Sequence, residues 1–414
     1  MVAKTLRPYK EEYPSMKYVN IITPLHQLIS HFILQGDSER LRETNEFLIT
    51  MASNSITPFH NDFAEGPLSS IDQEIEQFRG AIVQFLLERV PEFRELHELR
   101  RRGWDNPKGD AYFRQQRNQA DKASARSAQF FYQMMQRIGQ ELHQAVGAFA
   151  IPNDGLSQPM VLDMCMAPGG FLATALQLNP MARAVGFSLP VGSGGHKALM
   201  PNSRRVELRF LDITMLAADM GVTEVPVDHP DHGRFLPQQL RPDDRFDLVI
   251  CDGQVLRTHA REDYREKREA RRLTVTQLYL GLKHMRPGGT MVVLLHKLEN
   301  WDTVLLLRTF GEFATVKVYK PRTSHCKRSS FYMVAGNVQS QRPAAARAMG
   351  RWKSIWEAAT FGTDEAYRKT LQEGEPSVEE MLGDFGSELM RLGRDVWATQ
   401  ARALAEAPFI RQQS

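Results

Sequence analysis

Cysteine is scarce in this chain: three residues in 414, Cys165, Cys251 and Cys326, stand far apart and never in a C-x-x-C spacing. A disulfide framework and a thiolate metal site are thereby excluded, and a reducing intracellular compartment, cytoplasm or nucleus, is expected. Long apolar runs are missing too. None approaches the ~18 residues that cross a bilayer, so no membrane association is expected. The N-terminus lacks an apolar signal core, and its opening stretch is acid-poor until Glu11 and Glu12, which weighs against a mitochondrial transit peptide and leaves that destination open. An excess of one charge is also absent: 52 Lys plus Arg against 49 Asp plus Glu give +3. That balance does not mark the whole chain as a nucleic-acid binder, so any such affinity must come from local patches. There is no internal repeat.

What is present is length and a change of pattern. With 414 residues, 42% of them hydrophobic, the chain is long enough for two or three domains. Residues 1–150 read as a helical region. Ile71–Val90 repeats apolar residues at helical spacing (Ile75, Phe78, Ile82, Phe85, Leu86), and Ser127–Phe149 does so through Phe130, Met134, Ile138, Leu142 and Val146. Between them Arg94–Arg126 reads as a polar, basic stretch, whose Arg100–Arg102 run beside Trp104 is taken as a solvated helix end.

Over residues 151–338 strands and helices alternate. Strands are predicted at Val161–Met164, Ala184–Ser188, Val206–Leu211, Phe246–Cys251, Thr290–Leu295, Thr315–Tyr319 and Phe331–Ala335, with helices between the first five and the last two forming a hairpin. This predicts an α/β, Rossmann-like domain with a mainly parallel seven-stranded sheet. A Gln-Ser-Gln-Arg-Pro break opens a helical C-terminal extension, residues 339–414, with helices at Arg351–Ala359 and Val378–Ala403. Gly221–Asp244 reads as a long insertion. Its Asp228-His-Pro-Asp-His-Gly segment is taken as a flexible surface loop, and no metal site is assigned.

The most specific text is Val161-Leu-Asp-Met-Cys-Met-Ala-Pro-Gly-Gly-Phe171. It is a short apolar strand, a carboxylate, and a Pro-Gly-Gly turn into a helix, which lets a ligand approach bare backbone at a helix N-terminus. Further on, Ala184-Val-Gly-Phe-Ser-Leu-Pro, Phe210-Leu-Asp-Ile-Thr and Phe246-Asp-Leu-Val-Ile-Cys-Asp-Gly each follow or end a predicted strand.

Taken in order, these segments resemble the FtsJ-like S-adenosyl-L-methionine (SAM) methyltransferases, on the side of the cap-type ribose 2′-O group. The resemblance implies SAM as methyl donor, held by Asp163, Cys165, Ala167, Pro168, Gly169, Gly170 and Phe171, by Phe187, Ser188 and Leu189, by Asp212 and Ile213, and by Asp252. Asp163 would receive the ammonium, Asp212 the adenine amine, and Asp252 would lie beside the methyl group; Asp212 could equally cap the helix that follows it. The family's Lys-Asp-Lys-Glu catalytic set is kept only at Asp252. Tyr132 or Gln133, Leu294 and Ser330 stand at the other three places, so Lys297 is the candidate second catalytic residue, with His296 next to it as a possible base. RNA is the implied acceptor, bound through Arg257, Arg261, Lys320, Arg322, Lys327 and Arg328, with Arg265 on the same rim. A small-molecule acceptor and a catalytically inactive binding or scaffold protein are the alternatives.

Overall fold

Seven apolar stretches become the strands of one sheet in the computed structural model, which describes residues 70–411 apart from 122–124, 153–156 and 202. The strands are β1 (Met160–Asp163), β2 (Arg183–Ser188), β3 (Val206–Phe210), β4 (Phe246–Cys251), β5 (Met285–His296), β6 (Thr315–Tyr319) and β7 (Ser330–Val338). Their order is β3-β2-β1-β4-β5-β7-β6. The first five are parallel, and β7 runs antiparallel between β5 and β6. The sheet is thus mainly parallel, as expected, but mixed. Val161, Leu162, Leu248, Val249 and Ile250 on its central strands have no exposed surface, because layers cover both faces.

Among the described residues, four helices precede the sheet: α1 (Ser70–Arg89), α2 (Pro91–Trp104), α3 (Pro107–Asp121) and α4 (Ala125–Val146). Within it come α5 (Gly170–Leu178), α6 (Asp263–Glu266), α7 (Glu269–Lys283) and α8 (Trp301–Gly311). After it come α9 (Pro343–Phe361), α10 (Asp364–Gln372), α11 (Val378–Ala405) and α12 (Pro408–Arg411). The helical expectation for residues 1–69 lies outside the described residues.

Two expectations are corrected. Helices do not separate all of the first five strands. The β2–β3 connection holds only a 3-10 turn at Val191–Ser193, and the β3–β4 connection only those at Ile213–Met215 and His232–Arg234. The glycine- and proline-rich text of these connections explains the loss. On that side α9 of the C-terminal extension packs against α7, and Trp356 donates its indole N–H to the Thr214 carbonyl at 3.3 Å.

The basic stretch 94–126 places Arg100–Arg102 at a helix end with Arg101 exposed, as expected, but Arg100 turns inward. It forms most of α2 and all of α3, and α2 buries Phe93, Leu96 and Leu99. Phe93 meets Trp397 of α11 edge to face at 5.1 Å. The helices before and after the sheet therefore share one core. Burial of a Phe or Leu side chain of this kind contributes about 1.5–3 kcal/mol. Arg100 is drawn in as well, 2.6 Å from Glu299. The start of α11 is fixed by a reciprocal cap, with Ser377 and Glu380 each satisfying the other's backbone N–H.

Candidate functional site

In an open α/β sheet the ligand crevice opens at the carboxyl ends of the strands, where the winding changes direction. Here that point lies between the adjacent strands β1 and β4. Each ends in a carboxylate: Asp163 closes β1, and Asp252 follows directly after β4. Between β1 and α5 the chain turns through Ala167-Pro168-Gly169, with a cis peptide before Pro168 and Gly169 at φ +107°. A Cβ on Gly169 would stand 2.5 Å from Met200 Cγ and 3.0 Å from Met166 Cε. Gly170 is just as constrained, since its Cβ would come within 2.4 Å of the Tyr132 carbonyl on α4. Glycine at 169 is therefore required by backbone sign and by space together.

Asp163 is 2% exposed and accepts a hydrogen bond from the Cys165 N–H at 3.3 Å. Burial pushes its carboxyl up to about 7. Asp252 is raised further, first by burial and then by Asp163; the Tyr332 hydroxyl, hydrogen-bonded to it, works the other way. Asp252 Oδ1 is buried and has no hydrogen-bond partner. Two carboxylates that cannot both ionise cheaply, one with a buried, orphaned oxygen, form a receptor for positive charge. SAM carries an ammonium and a sulfonium, and so fits this pair. Substituting Gly169→Ala introduces both the Met200 clash and left-handed strain. SAM affinity, measured by titration calorimetry, is expected to fall by about tenfold or more, in line with a strain of 1–3 kcal/mol.

Around this pair the other implied residues divide. Ser188 is buried at the end of β2, and Leu189 is half-buried beyond it. The Phe171 ring is packed between Phe149 and Tyr332, and Phe187 lies wholly inside. Both rings support the site from behind, which leaves only their backbone for a ligand. Ile213 is also buried.

Asp212 caps the 3-10 turn after β3, with Oδ1 accepting from the Thr214 N–H at 3.0 Å and the Thr214 hydroxyl at 2.8 Å. Its Oδ2 is 2.7 Å from Arg265 Nη2 and 3.4 Å from His259 Nε2. Burial alone would raise its pKa, but His259 and Arg265 outweigh that and hold the carboxyl far below the usual range. The capping role is thus present, whatever else Asp212 touches. Asp212, His259 and Glu269 have donor atoms within 4.8 Å of one another, a metal-like spacing. Arg265 already stands among them, 2.6 Å from Glu269, and supplies the positive charge.

Lys297 follows β5 at φ +43° and is 4% exposed. Its ammonium acts on Glu299 and His296. The groups acting on Asp252 include Asp163 and the Tyr332 hydroxyl. His296 Nε2–H donates to Gln254 Oε1 at 3.0 Å, and burial together with Lys320 and Arg328 pushes it down to about 4. Leu294, on β5, pairs in register with Tyr332 on β7. The reading of the sequence gave Tyr332 no role. The signal available was its alternation with Ser330 and Val334 along β7, which puts the three on one face of the sheet.

The expected basic rim is thinner than the sequence suggests. Lys320 is 3% exposed, and its Nζ donates to the carbonyls of His325, Arg328 and Ser330, tying the β6–β7 loop. Burial pushes its ammonium down to about 7. Arg261 is paired with Glu266 at 2.8 Å, its side chain 8% exposed, and Arg265 has no exposed surface at all. These three are corrected from rim to interior, because each meets partners that sequence distance conceals. Arg257 and Arg322 are exposed, and Lys327 and Arg328 are half-buried. The 228–232 segment is a surface loop, with Asp228, Pro230 and His232 exposed, but it is pinned at two residues. Asp231 is fully buried, bound by Tyr264 at 2.9 Å and Arg234 at 3.0 Å, and His229 reaches the Thr360 carbonyl at 3.0 Å.

Comparison with known proteins bears on the same region. The family model of FtsJ-like methyltransferases matches residues 135–338. A cap-specific mRNA (nucleoside-2′-O-)-methyltransferase of Autographa californica nuclear polyhedrosis virus is 27% identical over 177 residues, which is 42% of this chain and 63% of that protein. The match thus spans less than two thirds of that relative. A putative ribosomal RNA methyltransferase from Plasmodium falciparum is 16% identical at a TM-score of 0.32, over 48% of this chain and 94% of that one. Human methyltransferase-like protein 13, solved with SAH, is 13% identical at a TM-score of 0.30, over 57% and 95%. Residues 135–338, just under half of the chain, therefore match an FtsJ-like methyltransferase domain.

Proposed function

We propose that this chain transfers the methyl group of SAM to a ribose hydroxyl of RNA. The observation that carries the reading is buried Asp163 with half-buried Asp252, whose Oδ1 is orphaned, beside the glycine turn, in a domain whose relative is named as a cap-specific mRNA 2′-O-methyltransferase. SAM, when bound, supplies an electrophilic methyl on a positively charged sulfur. Asp163 would hold its ammonium, and the Gly169–Gly170 turn would admit its amino-acid end against bare backbone. Asp252 would stand next to the reacting centre. Ser188 and the local backbone would serve the ribose, in place of a carboxylate at the end of β2.

The acceptor would approach over the carboxyl ends of β4 and β5. Because β7 is antiparallel and starts opposite His296, the 320–329 loop lies on that same edge. Glu141 of α4 accepts from the Arg322 and Thr323 N–H groups and steadies the loop. Exposed Arg322 and half-buried Lys327 on this loop would meet phosphates.

A small-molecule acceptor is the second reading, favoured by the inward turn of Lys320 and Arg261. Incubation with tritiated SAM and unfractionated RNA separates the two. Label in RNA that survives alkali as 2′-O-methylated dinucleotides supports the first. Label confined to small molecules from added cell extract supports the second and overturns the first.

A further inference from the structure

Tyr332 reaches Asp252 from two strands away. Asp252 follows β4, Tyr332 lies on β7, and the β5 residue between them is Leu294, the register partner of Tyr332. The tyrosine ring is held edge to face on Phe171 at 5.5 Å and 89°, and Phe171 leans on Phe149 at 5.9 Å. Phe171 belongs to the first turn of α5, directly after the glycine turn. The ring that carries the hydroxyl is therefore positioned by the same element that shapes the donor site. The hydroxyl is hydrogen-bonded to the Asp252 carboxylate, while Oδ1 of that carboxylate is buried with no partner. The other titratable groups facing Asp252 are Asp163 and Cys165 at the end of β1 and its neighbour Cys251.

We infer that Asp252 takes the acceptor's proton during methyl transfer, and that Tyr332 is the residue that positions Asp252 to do so. This rests on the methyl-transfer reading above. A tyrosine hydroxyl can donate to one carboxylate oxygen and leave the other free to accept. As the acceptor oxygen bonds to the methyl carbon, the carbon–sulfur bond breaks and its electron pair stays on sulfur. The hydroxyl proton passes to Asp252 Oδ1, and the charge count is conserved: sulfonium and carboxylate become thioether and carboxylic acid. The proton then leaves to water when the products go. A half-buried carboxylate next to Asp163 is a poor place for a resting negative charge. A cation beside it favours the ionised form, so the donor helps to arm the base.

The test uses SAM and S-adenosylhomocysteine as probes, because the two share an ammonium and differ by the sulfonium charge. Their affinity ratio, measured by calorimetry on the full chain between pH 5.5 and 8.5, reports ionisation of the carboxylate facing sulfur. In the wild-type protein the ratio is expected to rise with pH. Tyr332→Phe should move its midpoint upward by about one pH unit, since a donor to the charged form is lost. Asp252→Asn should flatten the ratio altogether. With tritiated SAM and unfractionated RNA, Tyr332→Phe should lower kcat by about tenfold or more and leave acceptor KM and melting temperature close to wild type. An unmoved midpoint in Tyr332→Phe overturns the inference, as does equal loss of SAM and S-adenosylhomocysteine binding. If wild-type protein labels no RNA, the RNA reading fails, and the affinity ratio still decides the role of Tyr332.

Discussion

Asp163→Asn is expected to make the ligand-free protein more stable while abolishing SAM binding. The sign follows from linkage. Unfolded, this carboxyl titrates near 3.8; folded, burial raises it to about 7. The fold favours the neutral form, so the residue's contribution is intact below the unfolded value and is lost as pH rises through the folded one. Above pH 7 the cost of holding the carboxylate is about 4 kcal/mol. Asparagine keeps the shape and removes the charge, and its amide needs only the partners already there. A gain of roughly 1–3 kcal/mol, a few degrees in melting temperature, is expected at pH 8. The gain should shrink toward pH 5. Thermal melts at both values check it, and a variant less stable than wild type at pH 8 would contradict it. Cofactor sites are often bought with stability in this way.

Arg265→Met should have the opposite and larger effect. Arg265 has no exposed surface and lies 2.7 Å from Asp212, 2.6 Å from Glu269, 2.8 Å from the Thr214 hydroxyl and 3.7 Å from Asp231. Arg272, also fully buried, shares Glu269 at 3.0 Å and reaches the Thr214 carbonyl and the Thr360 hydroxyl of α9. Removing Arg265 leaves Asp212 without its guanidinium partner and takes a second cation from buried Asp231, which keeps Arg234 at 3.0 Å. Breaking one side of such a cluster costs about 3–5 kcal/mol. Arg265→Lys should recover little, because a point charge cannot serve Asp212 and Glu269 together as the guanidinium fork does. Denaturant midpoints of the two variants and of Asp212→Asn/Arg265→Met measure this. The double variant is expected to lose less than the sum of the singles. Additive losses would contradict the network. Since Asp212 is fixed by this cluster, and the cluster by Thr360 and Trp356, the C-terminal extension shapes the end of β3 at which the resemblance places adenine.

How far the sequence revealed all this depends on the range of the interaction. Phe246–Cys251 and Thr315–Tyr319 are strands at the predicted boundaries, because apolar run and turn signals are local. The glycine turn was legible for the same reason: strand, carboxylate, Pro-Gly-Gly and helix are neighbours in the chain. Arg100 is different. Its run of three arginines reads as solvent-facing, and nothing local announces Glu299, 199 residues on. Lys320 failed likewise. A lysine in a basic loop looks like a phosphate contact, yet here it binds the carbonyls of its own loop. Asp231 and His229 suggested a mobile segment through composition, but Tyr264 and Thr360, from other elements, hold them inside. Tyr332 was in plain view, and its role depended on which strand lies between β5 and β6. Only the topology supplies that.

The central claim is that the strand-end carboxylates Asp163 and Asp252 receive the positive charges of SAM. The most direct test is SAM affinity by calorimetry on the wild-type chain from pH 5.5 to 7.5. Binding a cation lowers the pKa of Asp163 from its free value of about 7. Affinity is therefore predicted to rise by up to about tenfold per unit as pH approaches 7, with proton release to the buffer, and to level off above it. An affinity that is flat across this range, or no binding at all, would contradict the account.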